Sequence, residues 1–243
     1  MDEAKYRHEY KYLVSAAQLA ILQVRADALM QKDPHVDTTG KYSGCYNIRS
    51  VYFDDIDNTA YYEIENSEDP REKFRIRIYN HSDKQITLEL KSKKAGRCYK
   101  DSCPLTREQA EVLLSGKTLP IESDTPYLLK KMMVQMQTRL LHPVVIVEYE
   151  RIPYTCPFGN TRVTMDLHLR SSCQFNRFFE EILLMRPVLH TGQNMLEIKW
   201  DELIPDYIYQ SMMLENLQWD SFSKFYYCRR FMAGESNSYE FRK

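Results

Sequence analysis

Residues 71–80 read REKFRIRIYN, with Arg71, Lys73, Arg75 and Arg77 at every second position and Phe74, Ile76 and Ile78 between them. Successive side chains of a strand point to opposite faces. The segment therefore carries one apolar face and one face of four like charges. A half-buried strand packs its apolar face and shows its polar face to water. Here four cations repel one another, and no acid is interleaved on their face. The row calls for an anion brought from elsewhere.

The same alternation recurs along the chain. In RHEYKYLV (7–14), Arg7, Glu9 and Lys11 share a parity. ITLELKSK (86–93) sets Glu89, Lys91 and Lys93 against Ile86, Leu88 and Leu90, and the polar stretch NHSDK (80–84) predicts a hairpin with the preceding strand. CYKDSCPL (98–105) offers Lys100, and VVIVEYERIPY (144–154) puts Tyr149 and Arg151 in phase. NTRVTMDLHLRSS (160–172) aligns Arg162, Asp166, His168 and Arg170, and MLEIKWDELIP (195–205) aligns Glu197 and Lys199. Glu148 and Glu150 have the opposite parity from Tyr149 and are expected in solvent or paired to a helix. IRSVYFDD (48–55) is a mostly apolar strand with Arg49 as its charged member, and Asp54-Asp55 reads as a strand-end turn.

Helices separate these strands. Ser15 to Gln18 and Thr106 to Gln109 are capping boxes, the first opening AAQLAILQVRADALM (16–30). DNTAYYEIEN (57–66), PYLLKKMMVQMQTRL (126–140), PDYIYQSMMLENLQ (205–218) and SKFYYCRRFM (223–232) predict four more. The aromatics of the last are spaced to plug or cover the barrel.

Two architectures satisfy this pattern. A twisted antiparallel sheet packs its aliphatic face on helices and leaves its charges in water. Alternatively the sheet closes into a barrel, with the charges inside and the helices outside. About eight strands enclose just enough room for side chains or one small ligand. Buried cations are costly unless paired. The in-phase acids Glu9, Glu89, Asp166 and Glu197 are outnumbered by Arg71, Lys73, Arg75, Arg77, Lys91, Lys100, Arg151, Arg162 and Lys199. That surplus suits a polyanion, and leaves the acids to hold a divalent metal.

Composition narrows the options further. The 243 residues carry 33 Lys and Arg against 34 Asp and Glu, a net charge of −1, so any anion site arises by segregating charge and not from an excess of it. Non-specific nucleic-acid binding has no compositional support, and a nucleic-acid barrel would want aromatic stacking platforms. The start, MDEAKYRHEYKYLV, is too polar for a secretory signal. The longest aliphatic run, Val144 to Val147, cannot span a bilayer. Six cysteines without a CxxC pair predict free thiols and a cytoplasmic, reducing location. Neither GxxxxGK[ST] nor GxGxxG occurs, so phosphate would be bound by side chains.

The motifs together resemble one family. RxExK on the opening strand, SVYFDD, KxRIRxY, LELK, EYxR, RVTMD, LEIKWDELIP and the late SKF are similar to the VTC domain, the polyphosphate polymerase domain of the triphosphate tunnel metalloenzymes (CYTH-like superfamily). The similarity runs roughly from Tyr6 to Arg229. It implies an α+β fold: an antiparallel closed β-barrel with a charged interior, covered by helices, as a single domain over residues 1–243. It also implies Mn²⁺ or Mg²⁺ and phosphoryl transfer on ATP or another triphosphate, with inorganic polyphosphate as partner.

By the same resemblance, Lys11, Arg75, Arg77, Lys91, Lys100, Arg151 and Arg162 match the phosphate-binding basic residues. Tyr149 matches a tunnel tyrosine, Glu197 the metal-binding glutamate, and Ser223 with Lys224 a phosphate-contacting pair from a C-terminal helix. Arg71, Lys73 and Lys199 join them on parity. Relatives acting on thiamine triphosphate or making cyclic AMP carry ExExK. Arg7 replaces their first glutamate, which points to the polymerase branch and weakens Glu9 as a metal ligand. Eukaryotic polymerases add a phosphate-sensing domain and membrane spans, and the sequence is expected to be the catalytic domain without them. If a phosphate chain end accepts the phosphoryl group, the product is polyphosphate; if water accepts it, the site is a triphosphatase. A binding module without catalysis is the rival of another class. His168 reads as a structural group, and Lys93-Lys94 and Lys130-Lys131 as solvated pairs.

Overall fold

The computed structural model describes residues 7–36, 41–217, 219 and 222–234; Tyr6 and the polar N-terminus lie outside them. The strands are β1 (His8–Ser15), β2 (Gln31–Lys32), β3 (Tyr46–Asp54), β4 (Arg71–Tyr79), β5 (Ser82–Lys94), β6 (Arg97–Leu105), β7 (His142–Cys156), β8 (Thr161–Ser172), β9 (Arg186–Pro187) and β10 (Gln193–Trp200). The helices are α1 (Ala16–Leu29), α2 (Thr59–Glu65), α3 (Arg107–Leu114), α4 (Tyr127–Thr138), α5 (Asp206–Met212) and α6 (Lys224–Met232). The strands form one antiparallel sheet ordered β1-β10-β8-β7-β3-β4-β5-β6, with β2 on β7 and β9 on β8.

The ends of that order meet. Arg7 and Cys98 form an antiparallel pair, exchanging backbone hydrogen bonds of 3.0 Å in both directions. The sheet thus curls into a barrel, but among the described residues its seam is this single pair and not a continuous ladder.

Local rules account for the elements. Both capping boxes form: the Ser15 and Thr106 hydroxyls accept from the N–H groups of Gln18 and Gln109, whose side chains accept in return. The β4–β5 hairpin turns tighter than NHSDK suggests. Asn80 and His81 both take positive φ, at 49° and 55°, as a two-residue primed turn requires. Asp54 accepts from the N–H groups of Ala60 and Tyr61 at the start of α2, so the Asp54-Asp55 pair does cap a turn. The helix expected over 205–218 ends at Met212.

The aliphatic outer face is covered in two places. Phe74, Ile76, Leu88 and Leu90 pack with α3 and α4. Val163, Met165, Leu196 and Ile198 pack with α1 and α5. The inner face is not charged throughout. Ile48, Tyr52, Val145, Val147 and Met195 enclose Phe225 and Cys228, so α6 plugs one end of the barrel from within.

Strand β8 breaks its own parity. Glu148 pairs with Arg170 and Glu150 with Leu167, a bulge at which His168 takes φ 53°. The extra residue carries Arg170 to the outer face, contrary to the uninterrupted alternation. Exposed His168 pairs with Glu150 at 3.1 Å. Glu148 is buried and not solvated: it binds Arg49, Arg170 at 2.8 Å and His81 at 3.1 Å. Arg49 also donates to the Phe178 carbonyl at 2.8 Å, fixing the loop before β9 against the outer face.

Candidate functional site

Cross-strand register builds the interior. Lys73 faces Lys91, Arg75 faces Glu89, Arg151 faces Asp166, Lys11 faces Glu197 and Lys199 faces Arg162. Like charges directly opposite destabilise a strand pair, so Lys73 against Lys91 marks a place built for something other than stability. The result is a cavity of about 430 Å³ lined by eleven Lys and Arg side chains and three carboxylates. Every predicted site residue lines it except three. Arg71 lies beyond its edge, donating to the Glu68 carbonyl at 2.7 Å. Glu89 and Asp166 are buried directly behind its wall.

Those two acids are saturated by cations. Arg75 lies 2.5 Å and Lys100 2.9 Å from Glu89. Arg151 grips Asp166 with two hydrogen bonds, 2.6 and 2.7 Å, and Lys224 lies 2.6 Å from the same carboxylate. Burial alone would raise both carboxyls, but the Arg75 and Arg77 charges hold Glu89 far below its usual range, and Arg151 with Lys224 brings Asp166 below its ordinary value.

Glu9 and Glu197 stand differently. They lie close enough for a carboxyl–carboxyl hydrogen bond, and Lys199 contacts both. Burial pushes each up, but Lys11, Lys91 and Lys199 pull Glu9 well down, and Lys199, Lys224 and Arg151 pull Glu197 down. Two adjoining ionised carboxylates inside a basic cavity have the donor chemistry of a hard divalent cation. Among the described residues no cluster of three His, Cys, Asp or Glu could hold a metal ion. The pair therefore fits a metal that completes its shell with water and phosphate oxygens, as Mg²⁺ does.

Lys73 has no carboxylate within ion-pair distance among the described residues. Its Nζ lies 3.2 Å from the Ser223 hydroxyl and over the Phe225 ring. Burial, then the charges of Lys91, Lys11, Arg71 and Arg75, push its ammonium well down. Lys11 donates to the Phe222 carbonyl at 3.0 Å, and Arg77 reaches the Tyr149 hydroxyl at 3.3 Å. Arg162 is exposed at the rim.

Sequence reasoning missed part of the lining. Tyr46, Tyr52, Tyr79 and Tyr99 face the cavity, so the interior is richer in aromatics than expected. Tyr79 continues the parity of Arg77, and Tyr52 pairs with Arg75, so parity carried a signal for both. Asp33 follows a two-residue strand with no periodicity to read. Arg7 also lines the cavity and is held at 2.8 Å from Asp201.

A curled antiparallel sheet enclosing a basic cavity, with helices outside and one helix plugging an end, defines the triphosphate tunnel fold. The chain belongs to the VTC domain family, whose model matches residues 6–233. Among solved structures, a Hippeastrum protein described as a candidate adenylyl cyclase with dominant triphosphatase activity aligns at TM-score 0.52 and 13% identity, over 97% of this chain and 99% of its own. A candidate adenylate cyclase from Bacillus halodurans aligns at TM-score 0.46 and 14% identity, over 84% and 86%. No curated protein matches the chain. No described helix is long and apolar enough to cross a membrane.

Proposed function

We propose that this protein is a metal-dependent phosphotransferase that moves the γ-phosphoryl group of ATP onto a growing chain of inorganic polyphosphate. The observation that carries this reading is the cation surplus of the cavity, eleven against three among its lining residues. Phosphoryl transfer needs an aligned donor and acceptor and neutralisation of the equatorial oxygens, with little covalent work by the protein. Arg75, Arg77 and Arg151 suit this because a guanidinium stays charged when enclosed and grips phosphate through two donors. Glu197 and Glu9 would hold Mn²⁺ or Mg²⁺, which when bound supplies charge neutralisation on the phosphate oxygens. A second cavity shares Lys11, Lys73, Lys91 and Ser223 with the first and extends to Arg71 and Lys93. It gives a chain longer than a triphosphate a basic path onward.

The test is product length. Purified protein incubated with ATP and Mn²⁺ should yield phosphate chains far longer than three units. Phosphate and ADP alone would make the site a triphosphatase, the activity described for the Hippeastrum neighbour. Unchanged ATP with tight polyphosphate binding would make it a receptor.

Binding should also report counterion release. Polyphosphate affinity should fall steeply as salt rises, with each neutralising cation contributing on the order of 0.7 to the log–log slope. Arg75→Ala should weaken binding and flatten that slope by about one such increment. Equal affinity at 50 mM and 200 mM salt, values chosen to span the usual range, would point to a compact neutral ligand.

A further inference from the structure

We propose that Asp33 selects a nucleoside triphosphate as the phosphoryl donor by accepting hydrogen bonds from the ribose hydroxyls, with the base against Tyr46 and Tyr79. This rests on the reading of the cavity as a phosphotransferase site.

Three carboxylates line the cavity, and Asp33 is the one without a lysine or arginine partner among the described residues. It is 7% exposed. Its Oδ1 accepts from the His35 backbone N–H at 2.9 Å and lies 2.8 Å from His35 Nδ1. Its Oδ2 accepts no hydrogen bond from a described residue. The backbone fixes this placement. Gln31 and Lys32 pair with Thr155 and Tyr154 of β7, and the Asp33 N–H donates to the Pro153 carbonyl at 3.2 Å. The two-residue strand β2 thereby hangs Asp33 over the end of the barrel, and Pro153 joins it in the lining.

A carboxylate is a poor choice for a surface meant to meet phosphate. It opposes the attraction the lysines and arginines create. It is well chosen where the substrate presents neutral donors. Burial pulls the Asp33 carboxyl up, but the bonds from His35 and the charge of Arg162 bring it below its ordinary value, so it is an ionised acceptor at neutral pH.

The order of the groups along the cavity suits a triphosphate. Asp33 lies within the electrostatic reach of Arg162. Arg162 faces Lys199, and Glu197 faces Thr164, so Arg162 and Glu197 are diagonal neighbours about 7–8 Å apart. A nucleotide with its ribose at Asp33 and its phosphates running past Arg162 brings its terminal phosphate to Glu197. Tyr46 and Tyr79 meet edge to face, ring centroids 5.7 Å apart, and both line the cavity. Asp33 lines the same cavity as both rings, and burial, with the Asp33 charge adding to it against Arg151, pushes the Tyr46 phenol up to about 12.

A site that hydrogen-bonds a substrate hydroxyl discriminates strongly against an analogue lacking it, because its own acceptor is left unpaired. The experiment compares ATP with inorganic tripolyphosphate by calorimetry, on wild type, Asp33→Asn and Asp33→Ala. Wild type should bind ATP at least tenfold tighter than a ribose-free tripolyphosphate corrected for charge at matched salt. Asp33→Asn keeps the acceptor for the His35 N–H and removes the charge. It should lose about tenfold in ATP affinity while tripolyphosphate binds unchanged or tighter, and 2′,3′-dideoxy-ATP should bind wild type as weakly as ATP binds the variant. Retained tripolyphosphate binding shows that the variant cavity is intact. Equal losses for both ligands, or an ATP affinity indifferent to Asp33, would overturn the assignment and leave the phosphotransferase reading standing. Wild type that binds neither ligand would overturn both.

Discussion

Glu197→Gln is expected to lose most of its turnover with ATP and Mn²⁺, on the order of a hundredfold or more, as removal of a major electrostatic contributor does. Its metal-free affinity for polyphosphate should hold or rise. Glutamine keeps the side-chain shape at this buried position of β10. The neighbouring cations are not orphaned. Lys224 and Arg151 remain at 2.6 Å from Asp166, and Lys199 keeps Glu9 at 3.8 Å. The change therefore removes one negative charge and leaves the lattice of ion pairs. Anion attraction can only gain from it. Full activity in the variant would remove Glu197 from the metal site. Binding lost together with activity would assign it a structural role.

Arg49→Ala should cost about 3 kcal/mol of unfolding free energy, the loss expected when a buried pair is broken by removing one partner. Arg49 is 1% exposed, and it ties Glu148 to the carbonyls of the loop before β9. Equilibrium urea unfolding measures the loss, and a change under about 1 kcal/mol would show the cluster to be incidental. The same cluster sets an acid limit. Burial raises the Glu148 carboxyl, but His81 and Arg49 bring it down to about 2. A carboxyl depressed by folding contributes stability that is fully present above its unfolded pKa and is lost as pH falls towards its folded one. Stability should therefore fall between about pH 5 and pH 2, and Glu148→Gln should flatten that stretch of the profile.

Much of this was legible because a period of two is a strong statement. The charged rows of REKFRIRIYN, ITLELKSK and LEIKW turn inward together, and their aliphatic partners meet helices, two of which, α1 and α3, are announced by capping boxes. Parity failed where the backbone does not keep step. The bulge at His168 sends Arg170 outward to Glu148, and nothing in the alternation of DLHLR (166–170) distinguishes a regular strand from a bulged one. Burial failed where charge was taken for solvent exposure. Glu148 and Arg49 are both buried because each supplies the other's counter-charge. The apolar inner end was hidden because SVYFDD and VVIV are apolar on both faces, and sequence alone does not choose between α6 covering the barrel and entering it to meet one of them. Asp33 was invisible because two paired residues carry no period.

In the proposed mechanism one cavity holds both a phosphate chain and a metal. Crystals grown with tripolyphosphate and Mn²⁺, measured at the manganese absorption edge, test it most directly. Phosphate density is expected between Arg75, Arg77, Lys91 and Arg151, with one anomalous peak beside Glu197 and Glu9. Phosphate bound only on the outer surface, or manganese far from both glutamates with the cavity filled by water, would contradict it.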